Sequence, residues 1–301
     1  MDIDVIKLLA AIMVAATPIL LAAIGELITE RAGVLNLGVE GMLITGAVCG
    51  YIVGHETGSA TAGFIGAAIG GAGVSAIFAF LTLFLMTNQV PTGLALTLFG
   101  VGLAALVGQG YSGGQDVSVS RFDIPVLSDI PVIGTILFQH DVVVYLSVLI
   151  VAAVWAFLRY TRAGLVLKAV GENGEAAHAL GYNVRAVRFA AILFGGACAG
   201  LGGAYVSLVR VPQWTDDMTG GAGWIALAIV VFANWKPWQL IAGAYIFGGV
   251  TVLQLNLQAE GLAIPVEYLS MTPYIATIIA LVLLPAGRAP GSLGKTFHAA
   301  Q

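Results

Sequence analysis

Apolar runs of about twenty residues recur from one end of this 301-residue chain to the other, and no other feature limits its possible folds so sharply. As a helix, a run of that length crosses the ~30 Å hydrocarbon layer of a bilayer. Inside that layer each backbone amide must find its partner within the chain, which leaves helices or closed barrels. Hydropathy places helices at about 8–28, 34–54, 60–86, 93–110, 141–160, 189–209, 221–233, 238–257 and 271–285, nine in all, or eight if one is re-entrant. The seventh is short for a full span. Charged residues make up 9% of the chain, against roughly 25% in a soluble domain, so no stretch remains for a separate soluble unit. The expected fold is all-α: a polytopic helical membrane protein with about 8–9 transmembrane helices, forming a single integral domain over residues 1–301.

The first run lacks a basic leading segment and is longer than a signal peptide's apolar region, so it is expected to be a retained helix. Cys49 and Cys198 both fall inside predicted spans, where a thiol behaves as a small apolar group. Sorting the twelve cations by alternating loops puts Arg31, Arg159, Arg162, Lys168, Arg185, Arg188, Lys236, Arg288 and Lys295 on one side, and Lys7, Arg121 and Arg210 on the other. The excess of basic residues in cytoplasmic loops then predicts a cytoplasmic C-terminus and an external N-terminus. The outer side carries Asp2, Asp4, Glu56, Asp116, Asp123, Asp129, Asp141, Asp216, Asp217, Glu260 and Glu267. Small-xxx-small pairs such as Gly66 with Gly70 and Gly196 with Gly200 predict close helix packing.

Against this background the stretch GELITERAGVLNLGVEGML, residues 25–43, is anomalous for its charges. Glu26, Glu30 and Arg31 are expected at the cytoplasmic end of the first helix, where water and headgroups accept charge. The tract from Ala32 to Glu40, with Gly33, Gly38 and Asn36, is expected to be partly unwound, as discontinuous helices lining transport paths are. Glu40 lies several residues into the second span, where an ionised carboxylate is costly unless it faces a cavity or a partner. Two readings follow: Glu40 and Asn36 line a translocation path, or Glu40 pins an unwound backbone or neighbouring helix by hydrogen bonds. Asn88, Gln89, Gln109, Gln254 and Asn256 are the other buried amide candidates, of which Asn88, Gln89 and Asn256 join Asn36 and Glu40 as the expected path residues. Amides suit a neutral hydroxylated or heterocyclic solute and serve equally as interhelical bonds. Trp214, Trp224, Trp235 and Trp238 are expected in the aromatic belts at the membrane surface.

The longest cytoplasmic loop, residues 161–188, reads TRAGLVLKAVGENGEAAHALGYNVRAVR. Glu172, Asn173 and Gly174 predict a helix start, the run 175–180 a short helix, and Gly181 its stop. A connection between antiparallel spans needs only a few residues, so a helix carried on a loop this long suggests a docking surface.

Here the chain resembles a known family. Glu175-Ala176-Ala177, with Gly181 four residues beyond, resembles the EAA loop of ABC importer permeases, whose short coupling helix sits in a cleft of the ATPase subunit. The stretch ERAGVLNLGVEGMLITGA, residues 30–47, is similar to the signature of permeases in the branched-chain amino acid, ribose and nucleoside importer superfamily. With Asn88-Gln89-Val90 and Gly93-Leu94-Ala95-Leu96-Thr97-Leu98, it is most similar to the nucleoside branch served by basic-membrane-protein-type binding lipoproteins; Pro91 and Thr92 depart from that pattern. The resemblance implies that Glu172, Asn173, Glu175, Ala176, Ala177, Gly181 and Arg185 form an ATPase-coupling element. It further implies an ABC ATPase partner, a second permease subunit related to this one, an extracytoplasmic substrate-binding protein and a small neutral solute, with purine nucleosides favoured. The setting would be a bacterial cytoplasmic membrane, with lipid around the chain and no nucleic acid bound. This chain itself would bind no cofactor, ATP and Mg residing on the ATPase.

No catalytic site is expected. GSLGKT, residues 291–296, ends like a phosphate-binding loop, but the residue five before Gly294 is Ala289 and no strand precedes it. His55, His140, His178 and His298 are scattered without metal-ligand spacing. Two alternatives to nucleoside import stay open at this level: a ribose-like sugar permease, and an ion-coupled secondary transporter using Glu40 as a proton site.

Overall fold

The computed structural model describes residues 5–111, 119, 121–123, 130, 133–259, 265, 268, 271–283 and 287–297. Asp2, Asp4, Asp116, Asp129, Glu260, Glu267 and His298 lie outside the described residues. The elements in order are α1 Val5–Arg31, α2 Val39–Thr57, α3 Ala60–Ala79, α4 Gln89–Gly108, β1 Arg121–Asp123, α5 Ile133–Leu137, β2 Gln139–Asp141, α6 Val142–Tyr160, α7 Arg162–Glu172, α8 Gly174–Ala179, α9 Val184–Tyr205, α10 Ala222–Phe232, α11 Pro237–Ala259 and α12 Thr272–Leu283. Helices α3 and α9 each run on into a π turn, Phe80–Phe84 and Val206–Arg210. β1 and β2 pair antiparallel as one small ribbon ahead of α6.

Every span read from hydropathy corresponds to a helix. Six helices among the described residues, counting the π turns, are long and apolar enough to cross a membrane by length and composition: α1, α3, α4, α6, α9 and α11. The predicted second span begins later than hydropathy placed it, because residues 32–38 are not helical.

The core is α1, α2, α3 and α9, packed backbone to backbone. A Cβ added to Gly46 would strike Gly200, and one added to Gly71 would strike the Gly196 carbonyl. Such approach needs residues without side chains, and it maximises dispersion where lipid supplies no hydrophobic drive for helix association. The pairs picked out by spacing do this: Gly66 lies against Val53, Gly70 against Cys49, and Gly196 and Gly200 against α3.

Six helices start on a local side-chain cap. Ser59, Asn88, Asp141, Thr161, Asn173 and Asn183 each accept an amide two or three residues ahead, for α3, α4, α6, α7, α8 and α9 respectively. Helices α2 and α10 begin instead on Gly38 and Gly221, neither of which has a side chain to supply a cap.

Helix α10 is a half-span. Its preceding loop leaves Arg210, which shares one end of the bundle with Lys7, Asp141 and Asn256. That loop then descends past Trp214, buried among Ile44, Ala47, Val48, Ala104 and Leu208. Eleven residues of helix cover about 16 Å, roughly half the hydrocarbon layer, and end where Trp235 meets Arg31 and Glu30 at the other end. The expectation that Trp214 and Trp235 belong to aromatic belts is therefore corrected. Both are enclosed, at 1% and 4% exposure, because one fills the space beneath the descending loop and the other closes over the end of α1.

Candidate functional site

Two uncapped helix starts meet at Glu40. Its Oε1 accepts hydrogen bonds from Thr219 Oγ1 at 2.5 Å and the Gly221 amide at 3.1 Å, and its Oε2 accepts the Gly223 amide at 2.6 Å. The carboxylate also stands in the first turn of α2, so one acid answers the positive ends of two helix dipoles and takes the Gly221 and Gly223 amides at the start of α10. Close approach is allowed by Gly223, where a Cβ would stand 2.6 Å from the Glu40 backbone. Of the two readings for Glu40, the geometry matches the pinning one, and neither Thr219, Gly221 nor Gly223 is a candidate in the sequence analysis. The signal present there was Gly220-Gly221 ahead of a short apolar helix without a capping side chain.

The unwound tract below this junction is hydrogen-bonded along its length. Asn36, fully buried, takes the carboxylate of Glu26 with its backbone amide at 3.3 Å and its side-chain amide at 3.4 Å, and its Oδ1 accepts from the Gly38 amide at 3.0 Å. Gln89 accepts from the Leu35 amide at 2.8 Å and donates to the Lys295 carbonyl at 3.4 Å. Arg188 donates to the carbonyls of Ala32 and Lys295, each at 3.1 Å. The expectation that Glu26 and Glu30 rest in water and headgroups is corrected: both are 1% exposed. The tract folds over Glu26, while the Trp235 indole donates to Glu30, so a buried acid is compensated by fixed donors rather than by solvent.

Among the expected path residues, the structure thus brings Asn36, Glu40 and Gln89 together around the unwound tract and uses their hydrogen-bonding groups within the chain. Asn88 is exposed and caps α4. Asn256 stands apart on α11, donating to the Val252 carbonyl at 2.8 Å, and lines a cavity of about 790 Å³ with Lys7, His140, Asp141 and Arg210. Gln109, expected buried, is exposed.

At the opposite end stands the loop helix. Asn173 closes α7 and caps α8 through Oδ1 to the Ala176 amide at 3.0 Å. Gly181, at φ +88°, stops it, its amide reaching the His178 carbonyl at 2.8 Å. Glu172, Asn173, Glu175, Ala176 and Gly181 are exposed and Arg185 is half-buried. Ala177 is not a surface group: at 2% exposure it packs with Val170, Val184 and Phe297. The most exposed large apolar group here is Leu180, the last residue of the predicted run, at 76% exposure.

The C-terminal segment straps α8 to the rest. Ser292 accepts from the Gly174 amide at 3.2 Å and donates its own amide to Gly171 at 2.9 Å. Three residues on, the Lys295 carbonyl holds Arg188 and Gln89. A continuous line of contacts therefore runs from α8 through Ser292, Lys295 and Arg188 to the unwound tract, and from there to Glu40.

Comparison with known proteins supplies the context for this arrangement. The family described as the permease component of branched-chain amino acid transport systems matches residues 8–284. The chain is 44% identical over 85% of its length and 79% of the relative's to a Haloferax volcanii protein named "Putative glucose ABC transporter permease protein TsgC13". It is 33% identical to the nucleoside ABC transporter permease NupC of Lactococcus lactis, over 92% of this chain and 91% of the other. The figure is 32% for the guanosine ABC transporter permease NupQ of Bacillus subtilis, over 92% and 93%. Among solved structures, one described as "an inward-facing conformation of a putative metal-chelate type ABC transporter" covers 92% of this chain and 87% of its own, with a TM-score of 0.52 and 16% identity. That likeness speaks to the fold.

Proposed function

This chain belongs to the permease family of branched-chain amino acid-type ABC transporters, and on that premise we propose that it forms half of the translocation pathway of an ATP-driven importer of nucleosides, purine nucleosides foremost. It is a multi-pass transport subunit rather than an enzyme. A permease of this family works with an ATPase and a substrate-binding protein. We assign the ATPase contact to the exposed face of α8, with Glu175 and Ala176 at its centre, Glu172, Asn173 and Arg185 flanking it and Leu180 as its apolar anchor. ATP and Mg reside on that partner. The second half of the pathway is a related permease, the N-terminus faces outward and the C-terminus lies in the cytoplasm.

The observation that carries this reading is the capped helix α8 and its strap. A helix held by Asn173, Gly181 and Ser292 moves as a body with whatever grips it, and the bonded line through Arg188 hands that motion to the junction at Glu40. Discontinuous helices whose N-terminal ends point at a site are the elements from which other transporters build their solute sites. The names of two relatives support nucleosides. A second reading, import of a simple sugar, is favoured by the 44% identity to a relative named for glucose; both solutes present a neutral polyhydroxylated ring.

Uptake of labelled guanosine by cells carrying this chain with its partner subunits separates the two. Competition by unlabelled nucleosides but not by ribose or glucose, persisting under a proton uncoupler at maintained ATP, is the expected result. Competition by sugars alone moves the chain to the second reading, and collapse under the uncoupler removes the ATP-driven mechanism.

A further inference from the structure

Four cations from four different elements converge on one crevice at the Trp235 end of the bundle. Arg31 ends α1, Arg159 stands in the last turn of α6, Lys168 lies on α7, and Lys236 follows the turn between α10 and α11; together they line a cavity of about 480 Å³. No carboxylate lines it. The nearest acids are Glu172, which shares the adjoining crevice with Arg31 and Lys168, and Glu30, buried behind the Trp235 indole. Arg159, Lys168 and Lys236 form no ion pair among the described residues. Like charges gathered this way repel one another unless an anion joins them.

The crevice is built rather than incidental. Asn234 and Trp235 both adopt left-handed backbone, φ +49° and +54°, a conformation uncommon for a residue as bulky as tryptophan and concentrated at ligand clamps. Arg31 holds that turn in place by donating to the Trp235 carbonyl from Nε at 3.1 Å and Nη2 at 2.7 Å. The turn presents Lys236 at the rim.

Its other wall is membrane-facing. The Trp155 ring lies 5.8 Å from Trp238 and 5.4 Å from Tyr160, with the Arg159 guanidinium 5.9 Å from the Tyr160 centroid. Trp238 and Tyr160 are 46% and 70% exposed, and exposed Trp and Tyr belong at the headgroup level of a bilayer. No residue of α8 takes part, and of the residues assigned to the ATPase contact Glu172 alone stands beside it, in the adjoining crevice.

We propose that this crevice binds the phosphate of an anionic phospholipid headgroup, the four cations holding the phosphate and the tryptophan wall lying along the lipid's glycerol and upper chains. The anion links the ends of α1 and α6, the middle of α7 and the α10–α11 turn, and two of these, α1 and α7, also meet the strap at Pro290. The inference depends on the membrane setting and not on which solute is carried.

The test is native mass spectrometry of the full chain with its partner subunits, extracted from vesicles of phosphatidylglycerol or of phosphatidylcholine. Wild type is expected to retain phosphatidylglycerol at least tenfold over phosphatidylcholine. The triple variant Arg159→Gln, Lys168→Gln, Lys236→Gln is expected to lose roughly a hundredfold, at about fivefold per cation removed, whereas Arg162→Gln, on the same face outside the crevice, leaves retention unchanged. Equal retention of the two lipids by wild type overturns the proposal without reference to any variant. So does an unaltered triple variant. Binding of millimolar inorganic phosphate without lipid preference assigns the crevice to a free anion, and loss of ATPase co-purification with lipid retention intact assigns it to the partner protein; either result overturns the lipid assignment.

Discussion

The Glu40 carboxylate accepts the Gly223 amide at 2.6 Å although 183 residues separate them in sequence. Six other helices start on a neighbour's side chain, but α10 starts on a carboxylate borrowed from α2. The half-span α10 and the helix α2 are thereby one mechanical unit, joined through a carboxylate that is buried, at 4% exposure.

Replacing Glu40 should separate the effects of shape and charge. Glu40→Gln keeps the shape but replaces one carboxylate oxygen with an NH₂ that faces the donor on that side, the Gly223 amide when the remaining oxygen keeps Thr219 and Gly221, so it should lose about 2 kcal/mol of stability in detergent and cut uptake severalfold while leaving membrane abundance near wild type. Glu40→Ala should be the more damaging of the two. Thermal unfolding and uptake measured together check this ordering; full uptake by Glu40→Gln would remove the junction from the transport cycle.

Ala176 and Ala177 are neighbours with opposite environments, and a glutamate should report that. Ala176→Glu, on the exposed face of α8, should abolish ATPase co-purification from a normally inserted chain. Ala177→Glu places a charge among Val170, Val184 and Phe297, so it should destabilise the loop and lower the amount of folded protein. Similar behaviour from the two would contradict the assigned docking face.

Arg188 and Ser292 offer a test of transmission through the strap. Arg188→Met takes the guanidinium from the Ala32 carbonyl and leaves the Lys295 carbonyl with Gln89 alone, and Ser292→Ala takes the hydroxyl from the Gly174 amide. Both should keep the ATPase bound and hydrolysing while solute uptake per ATP falls, more for Arg188→Met than for Ser292→Ala. ATP turnover and uptake measured in one reconstituted preparation give the ratio; an unchanged ratio would rule out the strap as a transmitter.

Gly203 meets the Leu43 carbonyl so closely that an added Cβ has no room. Gly203→Val should cost upwards of about 1–3 kcal/mol and shift the melting temperature down by several degrees. Gly73→Ala, where a Cβ meets nothing within 4 Å, should leave it unchanged.

Orientation is checked by labelling in a background without Cys49 and Cys198. A cysteine at Thr57, exposed at the end of α2, should react with an impermeant reagent from outside intact cells, and one at Ala176 only after the membrane is opened. The reverse pattern would invert the topology.

The membrane class, the approximate place of each helix, the unwound tract and the capped loop helix were all legible in the chain itself. Each is a local property. Span length is set by bilayer thickness, and the ends of α8 by Asn173 and Gly181, whose capping chemistry reaches only two or three residues along the backbone. The family signature around Glu30 to Ala47 is likewise read directly from consecutive residues.

Which groups face one another was decided only in the folded bundle. Glu26 and Glu30 read as surface charges because the sequence places them at a helix end; Asn36 and Trp235, 10 and 205 residues away, enclose them. Ala177 and Ala176 are indistinguishable as letters, and the packing of Phe297 from the far end of the chain makes one core and the other surface. Glu40 could have lined a path or pinned a backbone, and the choice rested on amides near residue 221 whose lack of a local cap became meaningful only once two helix starts stood together. Hydropathy and capping depend on neighbours in sequence, whereas the satisfaction of a buried polar group depends on neighbours in space, and only the tertiary structure supplies those.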